Sequence, residues 1–462
     1  MCAERQKTLR SLPKTWTLVF IITSLLAGLL LAGTAIFMVN VKDTRFVRGD
    51  QFSIGVTHNC LTAYATAAYL ASIGMAHLYH PRHYRVGLTS STPIHKAVNG
   101  IFHVDEYLYP PQFLILPYGL WALCQDFFVL RTAWFVLTIT VVLIALAGVA
   151  LWGGAFRSRP QLLLFPLLLC APVVHTAIQI ENIHIVIVAI SLLAMIAFDE
   201  HHEFLGGALL GFAVVAKIWP AVLLLYLLIQ RRWKPVIACN VAIGGYTGIS
   251  LLLFGFKPYQ DFFTFGLQHV ESGESLLSTN YTPTIIENMS VFGIFHKLDA
   301  LNILSFQPAR LSSFIGWSFT MILGTVIIAT GLRRETNAEN DDNNRILRLQ
   351  LWLSLLTLGQ LRSPFLPWHY GVISTLWLLL VLMTSLKGWT LGVAGAAWLC
   401  LATNMPVEFL SMTQHANIGY TLFAALLMCG AIVVSLRIYY VSTTWGERIL
   451  GSPASYWRSQ KR

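Results

Sequence analysis

The chain has 462 residues, of which 56% are hydrophobic and only 11% charged, and its mean hydropathy is +0.64. Soluble domains carry about 25% charged residues, so composition excludes a soluble globular protein and leaves an integral membrane protein. The formal net charge of +10 is the surplus expected of basic cytoplasmic ends beside anionic lipid, and no nucleic-acid partner is expected.

Residues 1–15 form a short cytoplasmic N-terminus, placed there by Arg5, Lys7, Arg10 and Lys14. Trp16–Val39 is long enough to cross a bilayer. It is too long for a signal h-region, and no small-residue cleavage site stands out, so it reads as an uncleaved first span. A polar interruption over 40–109 follows. It carries Asp43, Arg45, Arg48, Asp50, Asp105 and Glu106 and reads as a large first external loop. Residues 110–124 are apolar but short, and read as re-entrant or interfacial. Further apolar segments run over 132–153, 161–177, 183–198, 204–216, 219–230, 235–255, 309–332, 347–361, 370–386, 389–403 and 418–440. With the first they make about 12 crossings, an even number, as two cytoplasmic ends require. The segments on either side of Lys217 are shorter than the roughly 20 residues of a span. A second external loop is expected over 256–308, a polar cytoplasmic linker over 333–346, and a basic cytoplasmic tail over 442–462 after a transmembrane domain of 16–441. The expected fold class is all-α and polytopic. No internal repeat is visible.

In this topology several polar groups share the external side: the first loop, the turn Gln179-Ile180-Glu181-Asn182, Lys217 before Trp219-Pro220, the stretch Asn280–Gly293, and Arg362-Ser363-Pro364 running on to Trp368-His369-Tyr370. Lys217, Arg362 and His369 offer positive charge or donors at membrane depth, where such residues are costly and functional by default. The first loop offers carboxylates. A cationic pocket beside lipid and facing a carboxylate suits a lipid-phosphate leaving group and a general base. The blander alternatives are a snorkelling Lys217 and an interfacial Trp-His-Tyr anchor. Five of the seven cysteines, Cys124, Cys170, Cys239, Cys400 and Cys429, lie in or beside apolar segments, so no disulfide framework is expected. The first-loop histidines His58, His77, His80, His83, His95 and His103 show no tight ligand spacing with acids, and no metal site is expected.

Tyr107-Leu108-Tyr109-Pro110-Pro111 resembles the Tyr-Pro-Pro that closes the first loop of GT-C membrane glycosyltransferases. Ala65–Tyr79 resembles the Ala-Ala…Gly…Leu-Tyr stretch before it. Gln179 matches the glutamine of a Gly-Gln turn, although Ile178 replaces the glycine. Lys217 with Pro220 resembles a Lys-Pro junction, Asn288-Met289-Ser290 an Asn-x-Ser, and Ser363-Pro364 with Trp368-His369-Tyr370 a Ser-Pro-x-Ser-Trp-x-His motif. Together, over roughly 60–375, these are similar to glycosyltransferase family 87, the polyprenol-phosphate-mannose-dependent mannosyltransferase-like proteins. The resemblance implies a GT-C-type fold with short amphipathic helices in the first loop. It also implies inverting transfer of a hexose, most often mannose, from a polyprenyl-phosphate-sugar to a glycolipid or glycan acceptor, without a cofactor. It implies a bacterial inner membrane, with the active side external. Carried over, Lys217 and His369 line the donor-phosphate or reaction site, and Gln179 and Asn288 help shape it; in the single displacement this suggests, Arg362 and Tyr281 join Lys217, Gln179 and Asn288 as donor-phosphate residues, and His369 stands with the catalytic candidates. The sequence departs from the family at Cys60, where an aspartate usually stands as candidate base. Either Asp50 serves instead, or Asp105 or Glu106 beside Tyr-Pro-Pro does, or the chain binds a lipid-linked sugar without transferring it. The rival functions are a flippase for a lipid-linked sugar and a polysaccharide polymerase or ligase.

Overall fold

A computed structural model of the protein describes residues 14–47, 58–75, 77–84, 92–155, 159–268, 282–303, 308–335, 341–403 and 414–445. Helix α1 (Lys14–Val39) is followed by the first loop, whose described residues include the short helices α2 (Leu61–Ser72) and α3 (Pro93–Val98). After a 3-10 turn over Pro111–Leu114 come α4 (Ile115–Leu123) and the long α5 (Phe127–Trp152). At nine residues, α4 extends only about 14 Å and cannot cross a bilayer by itself.

The expected span 161–177 is two pieces. A 3-10 run over Pro160–Cys170 meets α6 (Pro172–Gln179) at a bend of 55°. Pro166 and Pro172 each lack an N–H for the helical ladder, which explains the irregularity. Then follow α7 (His184–Asp199), α8 (Glu203–Ala216), α9 (Ala221–Ile229) and α10 (Trp233–Phe254). The second loop begins with α11 (Lys257–Asp261), which continues as a π turn over Phe262–Gly266. It contains α12 (Thr282–Glu287) and α13 (Val291–Ala300). The remainder comprises α14 (Pro308–Gly331), α15 (Asp341–Leu361), α16 (Trp368–Gly371), α17 (Ile373–Leu382), α18 (Trp389–Ala402) and α19 (Gln414–Ser442).

Five of these helices are long and apolar enough to span a membrane, or six spans if the bent pair counts as one. They expose apolar side chains outward, such as Leu29, Ile144, Leu252 and Leu426. Helices can face lipid in this way because their backbone polar groups are satisfied internally. By contrast α7 and α17 are apolar all round and almost wholly buried, and they form the centre of the bundle. Gly207 and Gly211 on α8 let its backbone approach α10. A Cβ at Gly207 would lie 2.6 Å from the Ala238 carbonyl carbon, the small-residue packing common between membrane helices. Arg333–Glu335 pairs antiparallel with Thr443–Trp445, which brings the ends of α14 and α19 together.

Candidate functional site

Between α2, α9 and the end of α15 lies a cavity of about 790 Å³, within the usual range for a small-molecule site. Its wall includes Asp105, Glu106, Lys217, Arg362 and His369, together with Cys60. Groups that are scattered along the sequence therefore converge on one volume. Asp50 and Tyr281 lie outside the described residues.

Lys217 reaches the cavity because α8 stops at Ala216. The Lys217 backbone is extended (φ −144, ψ 127), and Pro220 precedes the next helix. The ammonium donates to Asn182 Oδ1 at 3.2 Å and lies 3.5 Å from His184 Nδ1. It also faces the rings of Tyr370 and Tyr109, at 4.8 and 5.5 Å. Among the described residues no carboxylate pairs with it.

The His184 tautomer follows from its neighbours. Gln360 donates through Nε2 to Gly371 O at 2.8 Å and Ser374 Oγ at 2.5 Å, so its Oε1 is turned to His184 Nε2 at 2.7 Å. His184 Nε2 therefore carries the proton, and Nδ1 presents its lone pair to Lys217. The imidazole is held between Trp219 and Tyr370.

The first loop supplies the opposite wall. Cys60 is the N-cap residue of α2 and is fixed by Cys60 N–H to Ile180 O, 2.8 Å. The His58 ring lies between Asp105 Oδ1, 3.2 Å from Nδ1, and Cys60 Sγ, 3.5 Å from Nε2. Burial pulls the His58 pKa down, but the charges at Asp105 and Cys60 outweigh it and hold the imidazole well above its ordinary range. Asp105 Oδ2 is buried with no hydrogen-bond partner among the described residues. The two aromatic pieces of the loop meet where Tyr79 Oη donates to Tyr109 O at 2.6 Å and Tyr64 Oη to Tyr109 Oη at 2.8 Å.

Asn288 is a clamp behind the wall and does not line the cavity. Its Nδ2 donates to Pro364 O, and its Oδ1 accepts from Leu366 N–H and Ser290 N–H, each at 3.0 Å. These bonds pin the turn between Arg362 and His369. Gln179 also misses the cavity. Its amide donates to Phe46 O at 2.7 Å, which ties α6 to the segment after α1. Both residues hold backbone groups of neighbouring segments through their side-chain amides. Arg362 lines the cavity, with Nε donating to Thr320 Oγ1 at 2.7 Å.

Sequence reasoning missed His184, Gln360 and Glu287. The first two are polar residues inside apolar segments, a signal that could have found them. Glu287 immediately precedes Asn288. It lines the cavity, and its Oε2 faces His369 Nδ1 at 3.9 Å. His369 Nε2 is buried with no hydrogen-bond partner among the described residues. Burial pushes the Glu287 carboxyl up to about 7, against the opposing pull of His58 and Lys297.

An apolar helical scaffold that gathers a lysine, an arginine, histidines and carboxylates around one cavity defines an integral membrane protein with a polar site. The model of glycosyltransferase family 87 matches residues 107–364, more than half of the chain. The chain belongs to that family and is a membrane glycosyltransferase that acts on a sugar donor and an acceptor. No curated protein and no solved structure matches it.

Proposed function

We propose that the protein transfers a hexose, with mannose the first candidate, from a polyprenyl-phosphate-sugar to a glycolipid or glycan acceptor on the external face, with inversion. The shorter apolar helices are then broken spans that bring the crossings to about 12. Both termini are cytoplasmic and the membrane is a bacterial inner membrane. One observation carries the reading: among the described residues, Lys217 has no carboxylate partner, and Asp105, in the same cavity, has a buried oxygen without a hydrogen bond. The first fits an incoming phosphate and the second an incoming hydroxyl.

The step is a single displacement. Asp105 takes the proton of the acceptor hydroxyl as its oxygen bonds to the anomeric carbon. The bond from that carbon to the phosphate oxygen breaks, and the polyprenyl phosphate leaves with the electron pair. Lys217, supported by Arg362, holds the charge that develops on the leaving oxygen. No cofactor is called for. Asp105 comes within reach of Cys60, which stands where the family usually has an aspartate, so a carboxylate serves this region from another part of the loop. Asp50 and Glu106 are the remaining first-loop candidates.

The test is sugar transfer by purified protein in lipid, using radiolabelled polyprenyl-phosphate-mannose and a membrane extract as acceptor. The expected result is a labelled product, with Asp105→Asn lowering kcat roughly 10²–10⁴-fold. Saturable donor binding without product would overturn the transfer reading. Wild-type turnover in Asp105→Asn would overturn the assignment of the base.

A pH dependence also follows. Glu287 is protonated below about 7 and ionised above it. Only the ionised form attracts His369 Nδ1–H and leaves Nε2 as an acceptor towards the cavity. Turnover is expected to rise with pH through about 7, and Glu287→Gln should remove that limb and cost about tenfold. An unchanged profile in Glu287→Gln would exclude this role. The stability contribution has the opposite sign. A raised folded pKa stabilises the fold below the carboxyl's ordinary value of 4.5, and that stabilisation is lost as pH rises through about 7.

A further inference from the structure

His58 and Cys60 are separated by one residue at the start of α2, and Asp105 lies at the far end of the first loop. The fold brings one ligand atom from each within 4.8 Å of the others. In a tetrahedral zinc site, with Zn–S near 2.3 Å and Zn–N or Zn–O near 2.0–2.2 Å, ligand atoms lie roughly 3.3–3.7 Å apart. The His58 ring stands between the other two groups, with Nδ1 3.2 Å from Asp105 Oδ1 and the opposite nitrogen, Nε2, 3.5 Å from Cys60 Sγ. A turn of the imidazole would aim one nitrogen at the centre.

Three further observations point to a ligand here. Asp105 Oδ2 is buried and makes no hydrogen bond among the described residues. Asn182 Nδ2 donates to Cys60 Sγ at 3.3 Å, the kind of outer hydrogen bond that steadies a metal-bound thiolate. All three groups line the cavity, so an ion has a route in and a fourth position open to water or to an incoming oxygen. A thiol, an imidazole and a carboxylate together form a borderline-soft set that favours Zn²⁺ over Mg²⁺ or Ca²⁺.

We propose that His58, Cys60 and Asp105 form a binding site for a thiophilic divalent cation of the Zn²⁺ class. Binding displaces the thiol and imidazole protons to solvent, and the carboxylate supplies the third bond. If Asp105 is the base of the transfer reaction, the ion occupies that base, and micromolar Zn²⁺ inhibits transfer. This consequence rests on the transfer reading, whereas the site itself does not.

The experiment is titration of Co²⁺ into the full-length protein, purified without a histidine tag in detergent. One equivalent should produce a near-ultraviolet thiolate-to-cobalt charge-transfer band that Zn²⁺ abolishes by displacement. Cys60→Ser should lose the band, and His58→Gln and Asp105→Asn should each weaken affinity about 10–100-fold. Cys239→Ser should leave the band intact. Thermal unfolding of each variant separates loss of the site from loss of the fold. Absence of the band at stoichiometric Co²⁺, or a band that survives in folded Cys60→Ser, overturns the site. A band without zinc inhibition of transfer keeps the site and removes Asp105 as the base.

Discussion

Lys217→Ala is expected to reduce sugar transfer roughly 10²–10³-fold while leaving the amount of folded protein unchanged, as loss of a preorganised charge at a developing oxyanion does. The ammonium is poised by Asn182 Oδ1 at 3.2 Å and by the lone pair of His184 Nδ1 at 3.5 Å. The Gln360 amide, itself anchored on Gly371 O, fixes that lone pair. In the proposed transfer the phosphate gains charge as the sugar departs, so the loss should fall mainly on kcat, with a smaller change in KM. Turnover in purified, monodisperse protein at saturating donor measures this. Full activity in folded Lys217→Ala would remove the lysine from the mechanism, and a pure KM effect would reduce it to a binding group.

Arg131→Leu should destabilise the fold by about 3–5 kcal/mol, the usual result of breaking a fully buried ion pair from one side. Arg131 and Glu181 both have fully buried side chains, 3.7 Å apart. The guanidinium also donates to Phe37 O and Met38 O, each at 2.9 Å, and so caps the last turn of α1. Glu181 has a positive φ of 58° and accepts from Asn59 Nδ2 at 2.6 Å, next to Cys60. One arginine thus joins the end of α1, the turn before α7 and the start of the first-loop helix. Leu leaves a buried carboxylate and two helix-end carbonyls without their donor. Arg131→Leu/Glu181→Leu should recover part of the loss, since removing both charges removes the unpaired one. Unfolding midpoints in one detergent test this. An undiminished midpoint in Arg131→Leu, or losses that simply add in the double variant, would contradict the coupling.

The two residue networks differ in how visible they are along the chain. Lys217, Arg362 and His369 interrupt apolar segments or join them, and a charged group at membrane depth is costly enough to be noticed without a structure. Asp105 and Glu106 stand beside Tyr107–Pro111, so a motif marks them. Gln360 and His184 have no such marker. Each is surrounded by apolar residues, and their hydrogen bond spans 176 positions. Glu287 reads as an ordinary loop acid until α12 turns it onto His369. Gln179 and Asn288 do the reverse. They belong to recognisable motifs, yet their amides hold Phe46 O and the turn around Pro364.

The crossings show the same division. Hydropathy marks α1, α5, α10, α14 and α19 clearly, because each is a continuous apolar run with a lipid-facing surface. It cannot separate a span from two pieces bent by 55° at Pro172, nor state how helices of 14 and nine residues, α8 and α9, lie around the extended Lys217. Apolarity reports how far a segment prefers lipid to water, and it carries no direction.

The sequence by itself determined the membrane class and the cationic residues that need a reason to be there, since these follow from the cost of putting each side chain in hydrocarbon. Tertiary structure alone decided that Asp105 would come beside Cys60 and His58, that Glu287 would face His369, and that Arg131 would bind the end of α1. Each of these is a contact between distant segments, fixed by how helices pack, and local composition places no constraint on it.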